Sequence, residues 1–222
     1  MKREVNLSEI TDGKLYGLND MVKVECNECQ GCSACCQKMG SSILLDPLDL
    51  HRLMSHLKKS FEELIADHIE LNLVDGLILP NLRMLGKEER CSFLSSEGRC
   101  SIHAFRPGIC RLFPLGRYYE NHSFQYILQV HECVKENKTK TKVRKWIDTP
   151  DVNRYEQYIT DWHYFTLDVQ NMVKSTQDEA RRKDMSLYIL KLFFLKAYDN
   201  TADFYLQFQE RLNSAKDVLG LL

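Results

Sequence analysis

The chain has 222 residues, of which 44% are hydrophobic and 27% charged, with a formal net charge of −1 at pH 7. That length suits one globular unit, or a compact module with an appended helical part, able to bury a core. The near-neutral balance argues against a general nucleic-acid binder and against a disordered tail protein.

In chain order, the opening MKREVNLSEITDG lacks the apolar stretch of a signal peptide, so a cytoplasmic location is expected. Residues 1–25 read as a loosely patterned lead-in in which Gly13 and Gly17 interrupt any long helix. Residues 26–145 hold every cysteine and read as a cysteine-cluster metal-binding module. Within it Ile43-Leu44-Leu45 suggests a short strand. Asp46-Pro47 then supplies an N-cap followed by proline at the first helical position. Leu50, Leu53, Met54 and Leu57 continue from there as an amphipathic helix. Leu77–Leu79 and Arg83–Leu85, on either side of Pro80, read weakly as strand, and Ser123–Val130 reads as a better one.

From 146 to 222 there is no cysteine and the pattern is helical. Tyr198, Ala202, Tyr205, Phe208, Leu212, Ala215, Leu219 and Leu222 recur at three- and four-residue steps, an apolar stripe expected to pack on a core. The most apolar region, Met185–Tyr198, is broken by Lys191 and Lys196 and is too short to span a bilayer. The expected class is therefore α+β and helix-dominated: a metal-anchored cysteine module with few short strands, and a C-terminal helical region packed on it.

The nine cysteines carry the functional signal. Their odd number and the absence of an export signal argue against a disulfide framework. Cys26, Cys29, Cys32, Cys35 and Cys36 fall within eleven residues. Neighbours two or three residues apart are poor disulfide partners, but suit several thiolates converging on one ion or cluster. Cys26, Cys29, Cys32 and Cys36 reproduce the C-x2-C-x2-C-x3-C spacing of bacterial ferredoxins, with Gln37 where those carry proline and no second run. A radical-SAM C-x3-C-x2-C triplet is absent.

A looser second set comprises Cys91, Cys100, Cys110 and Cys133. Arg90, Arg99 and Arg111 each adjoin one of them, which suggests screening of thiolate charge. His103 and His131 lie nearby and are expected to pack or hydrogen-bond rather than ligate. The run Lys135, Lys138, Lys140, Lys142, Arg144 and Lys145, ending at Trp146, reads as a solvated linker. Its alternative is a phosphate-binding strip with an aromatic platform.

The segment Cys29-x2-Cys32-x2-Cys35-Cys36 resembles the signature of the YkgJ-type cysteine-cluster (CxxCxxCC) proteins. The stretch from Cys91 to Gly116 is similar to that family's second block, above all Arg106-Pro107-x2-Cys110-Arg111-x-Phe113-Pro114, and Cys133 matches a final cysteine. The resemblance implies a zinc- or iron-chelating domain. The ligands expected are Cys29, Cys32, Cys35, Cys36, Cys91, Cys100, Cys110 and Cys133, with Cys26 as an additional thiol. A distant similarity to the cysteine module of flagellin lysine-N-methylase implies a second reading, an S-adenosylmethionine-dependent protein lysine methyltransferase with Tyr118, Tyr119 and Glu120 beside the cysteines. A third reading is a nucleic-acid or protein-binding adaptor with a structural metal. The leading expectation is a metal-ion or iron–sulfur cluster binding protein, its cofactor zinc or an iron–sulfur cluster. Its expected partners are metal ions and a protein substrate or partner, not nucleic acid or membrane.

Overall fold

The structure, a computed structural model, describes residues 7–26 and 32–221. A short helix α1 (Leu7–Ile10) precedes strand β1 (Met21–Glu25), and a single 3-10 turn covers Ala34–Cys36. Helices α2 (Pro47–Leu57) and α3 (Phe61–Asp67) lead into the hairpin β2 (Ile69–Val74) and β3 (Leu77–Leu82). The two-residue strands β4 (Met84–Leu85) and β5 (Arg90–Cys91) follow. After a second 3-10 turn at His103–Phe105 come α4 (Gly108–Leu112), β6 (Leu115–Glu120), β7 (Ser123–Leu128), β8 (Thr139–Lys142) and α5 (Val143–Ile147). The chain ends in α6 (Val152–Ser175), α7 (Glu179–Leu190) with a π turn over Lys191–Leu195, and α8 (Phe204–Leu219). Helix accounts for 45% and strand for 21%, so the fold is α+β and helix-dominated.

Local chemistry sets several of these boundaries. Asp46 Oδ1 accepts from Asp49 N at 2.8 Å while Asp49 Oδ2 accepts from Asp46 N at 3.3 Å, a reciprocal cap with Pro47 at the first helical position of α2. Ser60 and Glu63 make the same arrangement at α3. Asp178 and Asp203 accept backbone N–H groups at the starts of α7 and α8. Because Asp203 caps α8, the C-terminal apolar stripe is helical only from Phe204: Phe208, Leu212 and Ala215 are buried, Ala202 is exposed ahead of the helix, and Leu222 lies outside the described residues.

The described strands form four two-stranded antiparallel sheets: β1 with β8, β2 with β3, β4 with β5 and β6 with β7. Two tight hairpins use residues with positive φ, Asp75-Gly76 between β2 and β3 and Asn121-His122 between β6 and β7. The expected strand at Ile43–Leu45 is reduced to one bridge, Leu44 with Asn81. Only the start of the basic run is loop: Lys135 and Lys138 precede β8, whereas Lys140 and Lys142 belong to β8, and Arg144 and Lys145 to α5.

Packing divides the chain into two compact units, residues 1–43 with 83–155, and residues 44–82 with 156–222. In the first, Tyr16 and Tyr126 exchange backbone hydrogen bonds at 2.8 and 2.9 Å, joining the lead-in to the β6–β7 hairpin. Its core includes Val22, Val24, Tyr126, Val143 and Tyr155. The second buries Leu53, Leu64, Ile69, Phe165, Phe193 and Phe208, each such side chain contributing roughly 1.5–3 kcal/mol. Ser186 Oγ of α7 accepts from the Ile78 amide at 2.7 Å, tying that helix to β3. Every described cysteine lies in the first unit. Among the described residues, no helix is long and apolar enough to cross a membrane.

Candidate metal centre

The centre is built from loops whose backbone bonds leave little freedom. In the 3-10 turn, Cys36 N donates to Ser33 O at 2.9 Å and Gln37 N to Ala34 O at 3.3 Å. The Gln37 side chain closes the turn onto Ser33 Oγ at 3.0 Å. Immediately downstream, Gln37 bridges to Arg90, and Lys38 N donates to Glu89 O at 2.9 Å. These contacts dock the first cysteine segment against the β4–β5 pair, in which Cys91 is registered against Met84. From Cys91 the chain folds back through Ser95 N to Arg99 O at 2.8 Å and Ser101 N to Phe93 O at 2.9 Å. A bridge between Leu94 and Cys100 completes that return. Blocks more than fifty residues apart in sequence thereby become neighbours.

Four thiols sense one another electrostatically: Cys35, Cys36, Cys91 and Cys100. The Cys36 thiol donates a hydrogen bond to the Cys35 sulfur. That bond is the main reason Cys35 is lowered to about 7, helped by its own backbone amide and the charge of Arg106, against the opposing effect of burial. The same bond holds the Cys36 proton firmly, and burial and the charges of Cys35, Cys100 and Cys91 add to it. The pair thus favours one thiolate beside one thiol. Burial pushes Cys91 and Cys100 up, opposed at each by a backbone N–H two residues on, from Phe93 and Ile102 respectively. Amides directed at sulfur stabilise the thiolate form, which is the form that binds metal.

The arginines divide by role. Arg99 and Arg106 both lower Cys100, and Arg106 also lowers Cys35. Arg90 Nη2 donates instead to Ser95 O at 3.0 Å. Arg111 is buried and donates to the backbone carbonyls of Asp148, at 3.1 Å, and Ala104. Arg106 is anchored by His103, whose carbonyl and ring Nδ1 lie 2.8 and 3.1 Å from its Nη1. Because a guanidinium only donates, Nδ1 accepts and the neutral ring carries its proton on Nε2. His103 therefore holds the arginine in place. Adjacency in sequence points to Arg90, Arg99 and Arg111 and passes over Arg106, whose signal was its place at the head of the Arg-Pro-x2-Cys motif.

Of the other expected ligands, Cys26 follows β1, Cys32 precedes the 3-10 turn, Cys110 lies on α4, and Cys133 lies in the loop before β8. The Cys133 carbonyl accepts from Lys138 Nζ at 3.2 Å. Cys29 lies outside the described residues. The described cysteines form no disulfide. Among the described residues, no three His, Cys, Asp or Glu side chains converge closely enough to hold an ion as they stand. The four thiols are thus a gathered donor set rather than a closed ligand shell. Their chemistry suits zinc or iron, which thiolates bind in preference to hard cations.

A family model described as CxxCxxCC, a putative zinc- or iron-chelating domain, matches residues 28–141, just over half of the chain. No curated protein and no solved structure matches it.

Proposed function

The chain belongs to the CxxCxxCC family of zinc- or iron-chelating domains, and from that premise we propose that its metal centre is organised around Cys35, Cys36, Cys91 and Cys100. The observation that carries this reading is the docking of the Cys35–Cys36 turn on the strand ending at Cys91, through Lys38 N to Glu89 O at 2.9 Å and Gln37 against Arg90. That docking brings thiols from two distant blocks within electrostatic reach of one another and of Arg106. A bound zinc ion or iron–sulfur cluster supplies soft cationic charge for thiolates. The protein's part is to hold the sulfurs, direct the Phe93 and Ile102 amides at two of them, and keep Arg106 beside the set. Four thiolates about a divalent ion leave an excess of negative charge, which Arg99 and Arg106 offset. Cys35 is the most acidic of the four, and the other three would have to give up their protons to hold a metal as thiolates.

In this reading Cys26, Cys29, Cys32, Cys110 and Cys133 serve a second site or complete the first. Reduced thiols of this kind persist in a reducing compartment, so the cytoplasm is the proposed location. No specific observation favours the methyltransferase or adaptor readings. Tyr118, Tyr119 and Glu120 are registered against Gln125, Phe124 and Ser123 within an ordinary hairpin.

The test is anaerobic purification followed by metal and acid-labile sulfide analysis of the native chain, Cys91→Ser and Cys100→Ser. The reading expects metal in the native protein and a loss of at least half of it in each variant. Native protein lacking both metal and sulfide, or variants with full metal content, would overturn it.

A further inference from the structure

A cavity of about 160 Å3 opens within the second compact unit, all of its lining residues falling in 44–82 and 156–222. Its apolar lining comes from Leu50 and Met54 of α2 and from Phe193 and Phe194 of the π turn. A cavity of roughly 150 Å3 is large enough to take benzene.

The polar lining is one-sided. It consists of His51, Ser55, Lys59, Lys196, Tyr198 and Asn200, with no carboxylate among them. The acidic groups nearby are already engaged. Asp46 Oδ1 accepts from Asp49 N and from Tyr158 Oη, Asp49 Oδ2 accepts from Asp46 N, and Asp67 pairs with Lys59 at 3.1 Å. Lys196 is exposed and carries no such carboxylate partner among the described residues.

One buried donor in the lining is unmatched. Tyr198 is 8% exposed, and its hydroxyl is buried with no hydrogen-bond partner. Arg211 lies over the face of that ring, 3.6 Å from its centroid. Its N–H groups donate to the carbonyls of Leu192, Lys196 and Ala197, and its charge also acts on the Tyr198 hydroxyl oxygen; because a guanidinium only donates, the hydroxyl hydrogen itself stays unmatched. Burial raises the Tyr198 pKa, so the hydroxyl stays protonated and able to donate. His51 stacks on Phe204 at 5.3 Å and meets Tyr198 edge-on at 5.7 Å. Burial, with Arg52, Arg211 and His56 nearby, lowers the His51 pKa and keeps the ring neutral.

A buried hydroxyl without a partner is costly unless something enters to accept from it. Apolar walls, an unmatched donor and the carboxylate-free Lys196 at the rim together describe the complement of an apolar acid. We propose that this cavity binds a small apolar monocarboxylate of about benzoate size, its body against Leu50, Met54, Phe193 and Phe194 and its carboxylate accepting from Tyr198 Oη beside Lys196. The site shares no residue with the cysteine centre and does not rest on the metal reading.

The experiment is calorimetric titration of benzoate, and separately of benzylamine, into the full chain as purified with its metal, and into Tyr198→Phe and Lys196→Gln. Saturable one-to-one benzoate binding is expected, with benzylamine at least ten-fold weaker. Tyr198→Phe should weaken benzoate about five-fold or more, the loss expected of one hydrogen bond. Lys196→Gln, at an exposed position, tests the same site should the tyrosine variant fail to fold. Absence of saturable benzoate binding, equal binding of benzylamine, or benzoate affinity unchanged in the folded variants overturns the proposal. The last result would include benzoate bound at the metal instead.

Discussion

Arg106 donates from Nη1 to the His103 carbonyl at 2.8 Å and lies 3.1 Å from the ring Nδ1 of the same residue. A long flexible side chain is thereby fixed where its charge lowers two cysteines, Cys35 and Cys100, from different blocks. Groups that support a ligand in this way typically contribute ten- to hundred-fold in metal affinity. Arg106→Gln is accordingly expected to weaken metal binding about ten-fold at pH 7, read by competition with a chelator. Arg106→Lys should lose less, because it keeps the charge while giving up the planar fork. Wild-type affinity in Arg106→Gln would count against a supporting role.

Arg211 offers a test of the second unit that does not touch the cysteines. It is only 7% exposed, and its three hydrogen bonds, at 2.9, 2.6 and 2.6 Å, take up the carbonyls of Leu192, Lys196 and Ala197 around the end of the π turn. Those carbonyls follow a helix end, where cationic donors are favoured. Arg211→Met leaves them without that donor and removes the cation from the Tyr198 face. The expected loss is about 3 kcal/mol or more of unfolding free energy, measured by urea denaturation. A loss below about 1 kcal/mol would mean that water replaces the guanidinium at little cost.

Which parts of this were legible in the sequence follows from how local each cause is. The Asp46-Pro47 helix start and the strand beginning at Ser123 are written in adjacent residues, and both occur. The β2 strand is written in the alternation Ile69-Glu70-Leu71-Asn72-Leu73, but the sequence misleads on burial, because Leu71 and Leu73 are exposed, 40% and 74%. Its Asp75-Gly76 turn was nevertheless a direct hairpin signal. The β1–β8 pairing, Met21 with Lys142, joins segments separated by most of the cysteine region, so no local pattern encodes it. At the centre the two cysteine blocks were visible, whereas the way they dock was not. How the blocks come together depends on the docking of Lys38 on Glu89 and of Gln37 on Arg90, set by backbone hydrogen bonds and not by cysteine spacing.

His51 gives the second unit a dependence on pH. Burial comes first among the causes lowering its pKa, followed by the charges of Arg52, Arg211 and His56. The folded state thus resists a proton that the unfolded chain takes up below about pH 6.5. Stability from this group is complete above that value and falls as the pH drops through the lowered, folded pKa. Glu62 and Asp199, whose carboxyls are held below the usual range, act only at more acidic pH. Urea midpoints between pH 7.5 and 5 should decline in the native protein and decline less in His51→Gln. Parallel pH profiles would remove His51 as the source.

Gly76 isolates a steric requirement of the β2–β3 turn. It sits at φ +92°, and a Cβ placed there would lie 2.7 Å from Val173 Cγ1 on α6. Gly220, at φ +67°, would place a Cβ with no atom within 4 Å, so substitution there meets only the backbone penalty. Gly220→Ala is expected to cost about 1 kcal/mol, and Gly76→Ala roughly 2–4 kcal/mol once the overlap is added. The contact can be separated from the strain by a double-mutant cycle. Val173→Ala removes the opposing methyl groups at the cost of a small void, and in its background Gly76→Ala should become less damaging by about 1 kcal/mol or more. Urea denaturation of the four proteins measures this coupling, and strict additivity would assign the whole effect to the turn's backbone. In that case Val173 does not select glycine at this position.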